Sequence, residues 1–136
     1  MIESIVLLKN VKECDMNKNE VMALFDEWND ALKTGDPETV ANLYAEGAIL
    51  LPTMSNEVRH DHEEIKDYFV HFMAKNPVGK ILEGNVRDFG ELVINSGIYE
   101  FTFQDGSAVK ARFTFAYKLV NDCWMIIEHH SSQMPE

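Results

Sequence analysis

The stretch Tyr99 to Leu119, YEFTFQDGSAVKARFTFAYKL, decides the architecture. In its first half Tyr99, Phe101 and Phe103 are apolar, while Glu100, Thr102 and Gln104 between them are polar. In its second half Val109, Ala111, Phe113, Phe115, Tyr117 and Leu119 alternate with Lys110, Arg112, Thr114 and Lys118. A period of two marks a strand with one face buried, so the stretch predicts a β-hairpin with an aromatic inner face. Matching apolar to apolar pairs Phe103 with Val109, Phe101 with Ala111 and Tyr99 with Phe113. That register requires a bulged turn with one left-handed residue, which Gly106 adopts without steric cost. A slip of one residue would turn every aromatic toward water.

Strand-like sequence continues on both sides of the hairpin. The segments run over roughly 79–87, 91–103, 108–120 and 123–132, punctuated by Gly90, Asp105-Gly106 and Asn121-Asp122. In the last of them, alternation places Met125, Ile127, His129 and Ser131 on the inner face. Trp124, Ile126, Glu128, His130 and Ser132 then face outward.

Upstream the period changes to that of helices. Asn17 with Glu20 forms a capping-box pair, and Val21, Leu24, Phe25, Trp28 and Leu32 make one apolar stripe ended by Thr34-Gly35. Asp36-Pro37 opens a second, short helix that turns Val40, Leu43 and Tyr44 inward, and Gly47 stops it. Residues 48–51 read as a buried strand ended by Pro52. Asp61 caps a third helix, with Glu64 at its third position and Ile65, Tyr68, Phe69, Phe72 and Met73 as its stripe, ended by Asn76-Pro77. Helices first and antiparallel strands afterwards give an α+β fold, with three N-terminal helices packed on one face of a strongly bent antiparallel sheet. Residues 17–136 form a single domain. Residues 1–16 read as an N-terminal arm, either a loose terminus or a strand that pairs with another subunit.

The chain has 136 residues, a formal net charge of −11, 46% apolar residues and 26% charged ones, values of an ordinary globular domain. The acidic balance opposes nucleic acid, whose phosphates need clustered Lys and Arg. No apolar run approaches the ~20 residues of a membrane span. The N-terminus carries Glu3 where a signal peptide has a positive charge, and its apolar run Ile5 to Leu8 is short. These features predict a soluble, cytoplasmic protein. Cys14 and Cys123 lie far apart and read as two free thiols rather than a disulfide or zinc framework. His60-x-His62 and His129-His130 supply too few ligands for a metal, so neither metal nor cofactor is expected.

The order of elements resembles the nuclear transport factor 2-like, cystatin-like cone. The resemblance spans about residues 17–135. It rests on Lys33-Thr34-Gly35-Asp36-Pro37, Leu43-Tyr44-Ala45-Glu46-Gly47-Ala48, Leu51-Pro52-Thr53, and the ending Trp124 through His129-His130-Ser131-Ser132-Gln133-Met134-Pro135. That ending is similar to the SgcJ/EcaC group and to the association domain of calcium/calmodulin-dependent protein kinase II. The resemblance implies a sheet-mediated dimer or larger homo-oligomer and a cavity at the open end of the cone. The fold hosts isomerases, cyclases, transport factors and hub domains, so it does not by itself give a function.

Three groups of candidate residues follow. Trp28, Tyr68, Tyr99, Phe113, Phe115, His129 and Ser131 make an aromatic-walled pocket for a small acidic or apolar ligand. A protonated His129, with an imidazole pKa near 6.5, would serve as its donor beside Ser131. The inner strand positions carry no Asp or Glu, which leaves His129 as the best catalytic candidate for an alternative isomerase or lyase reading. On the outer face Arg112 is expected between Glu100 and His130, with Thr114 beside Glu128. Trp124 and Ile126 on that face point to a subunit interface.

Overall fold

The computed structural model describes residues 17–53 and 55–135. The expected arm and Cys14 lie outside the described residues. Helix α1 (Lys18–Lys33) starts where Glu20 N–H donates to Asn17 Oδ1 at 2.9 Å and the Glu20 carboxylate accepts from Asn17 N–H at 3.4 Å. Val21, Phe25, Trp28 and Leu32 are its buried face, and Leu24 is half-buried. Helix α2 (Pro37–Ala41) is capped by Asp36, and α3 (His62–Met73) by Asp61. The strands are β1 (Tyr44–Leu51), β2 (Val78–Asp88), β3 (Leu92–Thr102), β4 (Ala108–Val120) and β5 (Cys123–Gln133).

One five-stranded sheet runs in the order β1-β5-β4-β3-β2. Four of the strands are antiparallel neighbours, but β1 joins the edge of the sheet parallel to β5, pairing Leu50 with His129. This departs from the all-antiparallel expectation, because side-chain period identifies a strand without naming its partner. Strand β1 also begins earlier than expected, at Tyr44. Gly47, with φ 81°, lies inside β1 where its pairing with β5 shifts, so it marks a bulge rather than a helix end.

The β3–β4 hairpin is tighter than the expected register by two residues. Phe101 pairs with Val109, Tyr99 with Ala111 and Gly97 with Phe113. The cause is a short turn. Phe103 N–H donates to Ser107 O at 2.9 Å, and Asp105 Oδ1 accepts from Ser107 N–H at 2.9 Å and from Ser107 Oγ–H at 2.6 Å. Gly106 takes the left-handed position, with φ 87°. A displacement of two preserves the faces, so the aromatic side is still the inner one.

The β4–β5 hairpin differs more. Asn121 and Asp122 both take positive φ, 49° and 66°, and close a two-residue turn between Val120 and Cys123. Tyr117 then pairs with Ile126 but Ala116 with Glu128, so Ile127 is the extra residue of a bulge. The bulge reverses the alternation. Ile126 is buried and Trp124 packs on the core, correcting their outward assignment. Met125 pairs with the exposed Lys118 on the opposite face. Beyond the bulge His129 and Ser131 sit opposite Phe115 and Phe113 on the inner face.

Helix α1 lies across that face. Trp28 meets Phe69, Phe101 and Phe115 edge-on, with ring centroids 6.2, 5.9 and 5.5 Å away. Asn29 fastens the helix to β2, donating to Gly79 O at 3.0 Å and accepting from Gly79 N–H at 2.8 Å. Gly97 sits where β3 passes close to β2, and a Cβ built on it would lie 1.9 Å from Glu83 O.

Candidate functional site

The inner face closes around a small cavity between α1, α3 and the sheet. Its apolar wall includes Leu50, Phe69, Phe72, Phe101, Phe103 and Val109, and its polar end holds Thr53, Tyr99, His129 and Ser131. The cavity volume is ≈ 40 Å³, which suits a molecule of a few heavy atoms rather than a fused-ring substrate.

Five elements or loops contribute to the polar end. Trp28 of α1 donates its indole N–H to the Tyr44 hydroxyl at the start of β1, at 3.2 Å. That hydroxyl lies 2.7 Å from His129 Nδ1 on β5. On the other side of the ring, Nε2 lies 3.2 Å from the Tyr99 hydroxyl of β3. Tyr99 O–H donates to Ser131 Oγ at 2.6 Å, and Thr53 Oγ1–H, just after β1, donates to the same oxygen at 2.6 Å.

Burial sets the protonation of this chain. It pushes the His129 pKa down to about 3, with the neighbouring His130 adding to the effect, so the ring is neutral at ordinary pH. This corrects the expectation of a cationic His129 with a pKa near 6.5. Burial also raises Tyr44 and Tyr99 well above the ordinary phenol range, and Tyr68 to about 12, so all three keep their protons.

Of the expected pocket residues, Trp28, Tyr68, Tyr99, His129 and Ser131 line the cavity. Phe113 and Phe115 do not. They form a layer behind it, Phe113 stacked on Tyr99 with centroids 4.8 Å apart and Phe115 on His129 at 3.9 Å. Sequence reasoning missed Tyr44 and Thr53. Tyr44 reads as part of the second helix, and only the parallel β1–β5 pairing carries both residues to His129 and Ser131.

The outer-face ladder is rearranged by the two register changes. Arg112 lies between Ile98 and Ser132, not between Glu100 and His130. Glu100 faces Lys80 and Lys110, Thr114 faces His130, and Glu128 faces Ala116. Arg112, Thr114, His130 and Ser132 still share one open groove with Glu83 and Ser96. Away from both faces, His60 Nδ1 is 3.1 Å from Glu64 Oε1, and His62 Nε2 is 2.7 Å from Glu38 Oε2. Among the described residues no three His, Cys, Asp or Glu side chains converge as a metal site. Cys123 is a free, exposed thiol.

A bent sheet wrapped on a long helix, with a cavity between them, is the nuclear transport factor 2-like, cystatin-like class. Within that class, the chain belongs to the calcium/calmodulin dependent protein kinase II association domain family, whose model matches residues 17–135. It is similar to a structure of such an association domain from Xanthomonas campestris, with 48% identity over 89% of this chain and 90% of that one and a TM-score of 0.84. A nuclear transport factor 2-like protein of unknown function from Pseudomonas putida shares 17% identity over 85% of this chain and 84% of its own, with a TM-score of 0.74. An iota-carbonic anhydrase from a cyanobacterium, complexed with bicarbonate, shares the fold at 18% identity over 89% and 94% of the two chains, with a TM-score of 0.79. No curated protein matches the chain. Among the described residues no helix is long and apolar enough to cross a membrane.

Proposed function

We propose that this chain is a self-associating cytoplasmic domain whose cone binds a small oxyacid, of the size of bicarbonate, formate or acetate. The observation that carries the reading is Ser131. Its oxygen accepts from both Thr53 and Tyr99 at the polar end of an otherwise apolar cavity, so its own hydroxyl proton is available to a ligand oxygen. The low polarity of the walls strengthens such a bond.

Two further features support an anionic ligand in a chain of net charge −11. A groove that shares Tyr68 and Phe72 with the cavity is lined by His71, Lys75 and Arg59, the last of which is paired with Asp67 at 2.9 Å. The solved structure of the same fold that holds bicarbonate supports a ligand of this size. Self-association is supported by membership of an association-domain family and by the open groove around Arg112 and His130.

Binding is favoured over acid/base catalysis by the state of His129. Both ring nitrogens are engaged by tyrosine hydroxyls, which leaves no free lone pair for a substrate proton. The test is titration of ¹⁵N-labelled protein with bicarbonate, formate and acetate, alongside the Ser131→Ala variant. Shifts confined to the cavity residues and lost in the variant support the reading. Absence of shifts at tens of millimolar ligand overturns it, and turnover in a CO2-hydration assay would replace it with a lyase.

A further inference from the structure

We infer that the hydrogen-bond chain runs outward from Trp28, holding His129 as its Nε2–H tautomer and leaving Ser131 as a donor to the cavity. The inference rests on the oxyacid reading above for its ligand class and on donor–acceptor counting for its mechanism.

The counting starts at the indole, whose N–H is a donor and never an acceptor. Trp28 Nε1–H therefore donates to the Tyr44 oxygen. Tyr44 is 5% exposed, so its own proton needs a buried acceptor, and among the described residues His129 Nδ1 at 2.7 Å is the one in reach. A neutral imidazole whose Nδ1 accepts carries its proton on Nε2. Nε2–H then donates to the Tyr99 oxygen at 3.2 Å, and Tyr99 passes its proton to Ser131 Oγ at 2.6 Å. Ser131 also accepts from Thr53, and its hydrogen is the first in the series with no partner among the described residues.

The reverse direction fails at one place. If His129 carried its proton on Nδ1, Tyr44 would accept from both Trp28 and His129. Its hydroxyl proton would then be stranded in the core, at the full cost of an unmade buried bond. The two directions are thus unequal because the Tyr44 hydroxyl meets only a donor in Trp28 and finds its acceptor in His129 Nδ1. For function, a chain running outward from Trp28 offers the cavity a donor. It selects ligands with an acceptor oxygen, carboxylate or bicarbonate, over amines of similar size.

Long-range ¹H–¹⁵N correlation on the intact, labelled protein at neutral pH reads the His129 tautomer directly. A protonated Nε2 and an unprotonated Nδ1 are expected, and a protonated Nδ1 would overturn the inference. In Trp28→Phe the Tyr44 proton gains no new acceptor, so the same spectrum should again show Nε2–H, and a switch to Nδ1–H would overturn the count. If the wild-type tautomer is Nε2–H and no oxyacid binds, the chain direction stands and the oxyacid reading falls.

Discussion

Phe115 and His129 lie opposite each other on β4 and β5, ring centroids 3.9 Å apart and planes 20° from parallel. The imidazole is thereby covered on one face by an apolar ring and edged by two tyrosine hydroxyls. Such a setting accommodates a neutral histidine and penalises a charged one. This single stacking relationship links the core's composition to the protonation of the cavity.

The first consequence is a pH dependence of stability. His129 has a folded pKa of about 3, below the unfolded value near 6.5, so the unfolded chain binds more protons between these limits. Stability is expected to fall as pH drops from about 6.5 toward 3, by up to about 1.4 kcal/mol per pH unit from this group. Urea unfolding at pH 4, 5, 6 and 7 measures it. The His129→Gln variant, with no titrating group at that site, should show a shallower decline over the same window, and an equal slope would assign the effect elsewhere.

Gly97 provides a steric prediction. Its Cβ would meet Glu83 O at 1.9 Å, and backbone atoms on an adjacent strand yield only by moving the strand. Gly97→Ala should destabilise by about 1–3 kcal/mol or more, read as a lower urea midpoint. A midpoint unchanged from wild type would show that β2 and β3 can separate there without cost.

Asn29 ties α1 to β2 through both the N–H and the C=O of Gly79 and is 9% exposed. Asn29→Ala leaves two backbone groups without these partners, for a loss of about 1–3 kcal/mol per group unless water replaces the amide. Hydrogen exchange should locate the damage. The Gly79 amide is expected to lose protection before the β4 amides do.

Arg112 is exposed in the outer groove beside Ser132 and Ile98. Arg112→Glu should lower the particle mass seen by sedimentation while leaving the circular dichroism spectrum unchanged, because exposed positions contribute about 0.5 kcal/mol or less to folding. A variant that keeps its mass would move the self-association surface away from this groove.

Local chemistry made several features legible from sequence. The starts of α1, α2 and α3 are set by Asn17 with Glu20, Asp36 with Pro37, and Asp61 with Glu64, groups within three residues of the backbone donors they satisfy. The inner face of β3 and β4 follows from strict alternation, and a register shift of two could not disturb it. His129 and Ser131 fall inside for the same reason, although the sequence route to that placement passed through a hairpin with the opposite sense at Trp124 and Ile126. Only the tertiary structure decided the bulge at Ile127, because an extra residue is accommodated by competition between burying Ile126 and keeping a regular ladder. It alone decided that β1 runs parallel beside β5 and so delivers Tyr44 and Thr53 to the cavity. The neutrality of His129 belongs to the same category. Desolvation is the sum of what many sequence-distant side chains exclude, and no spacing along the chain encodes it.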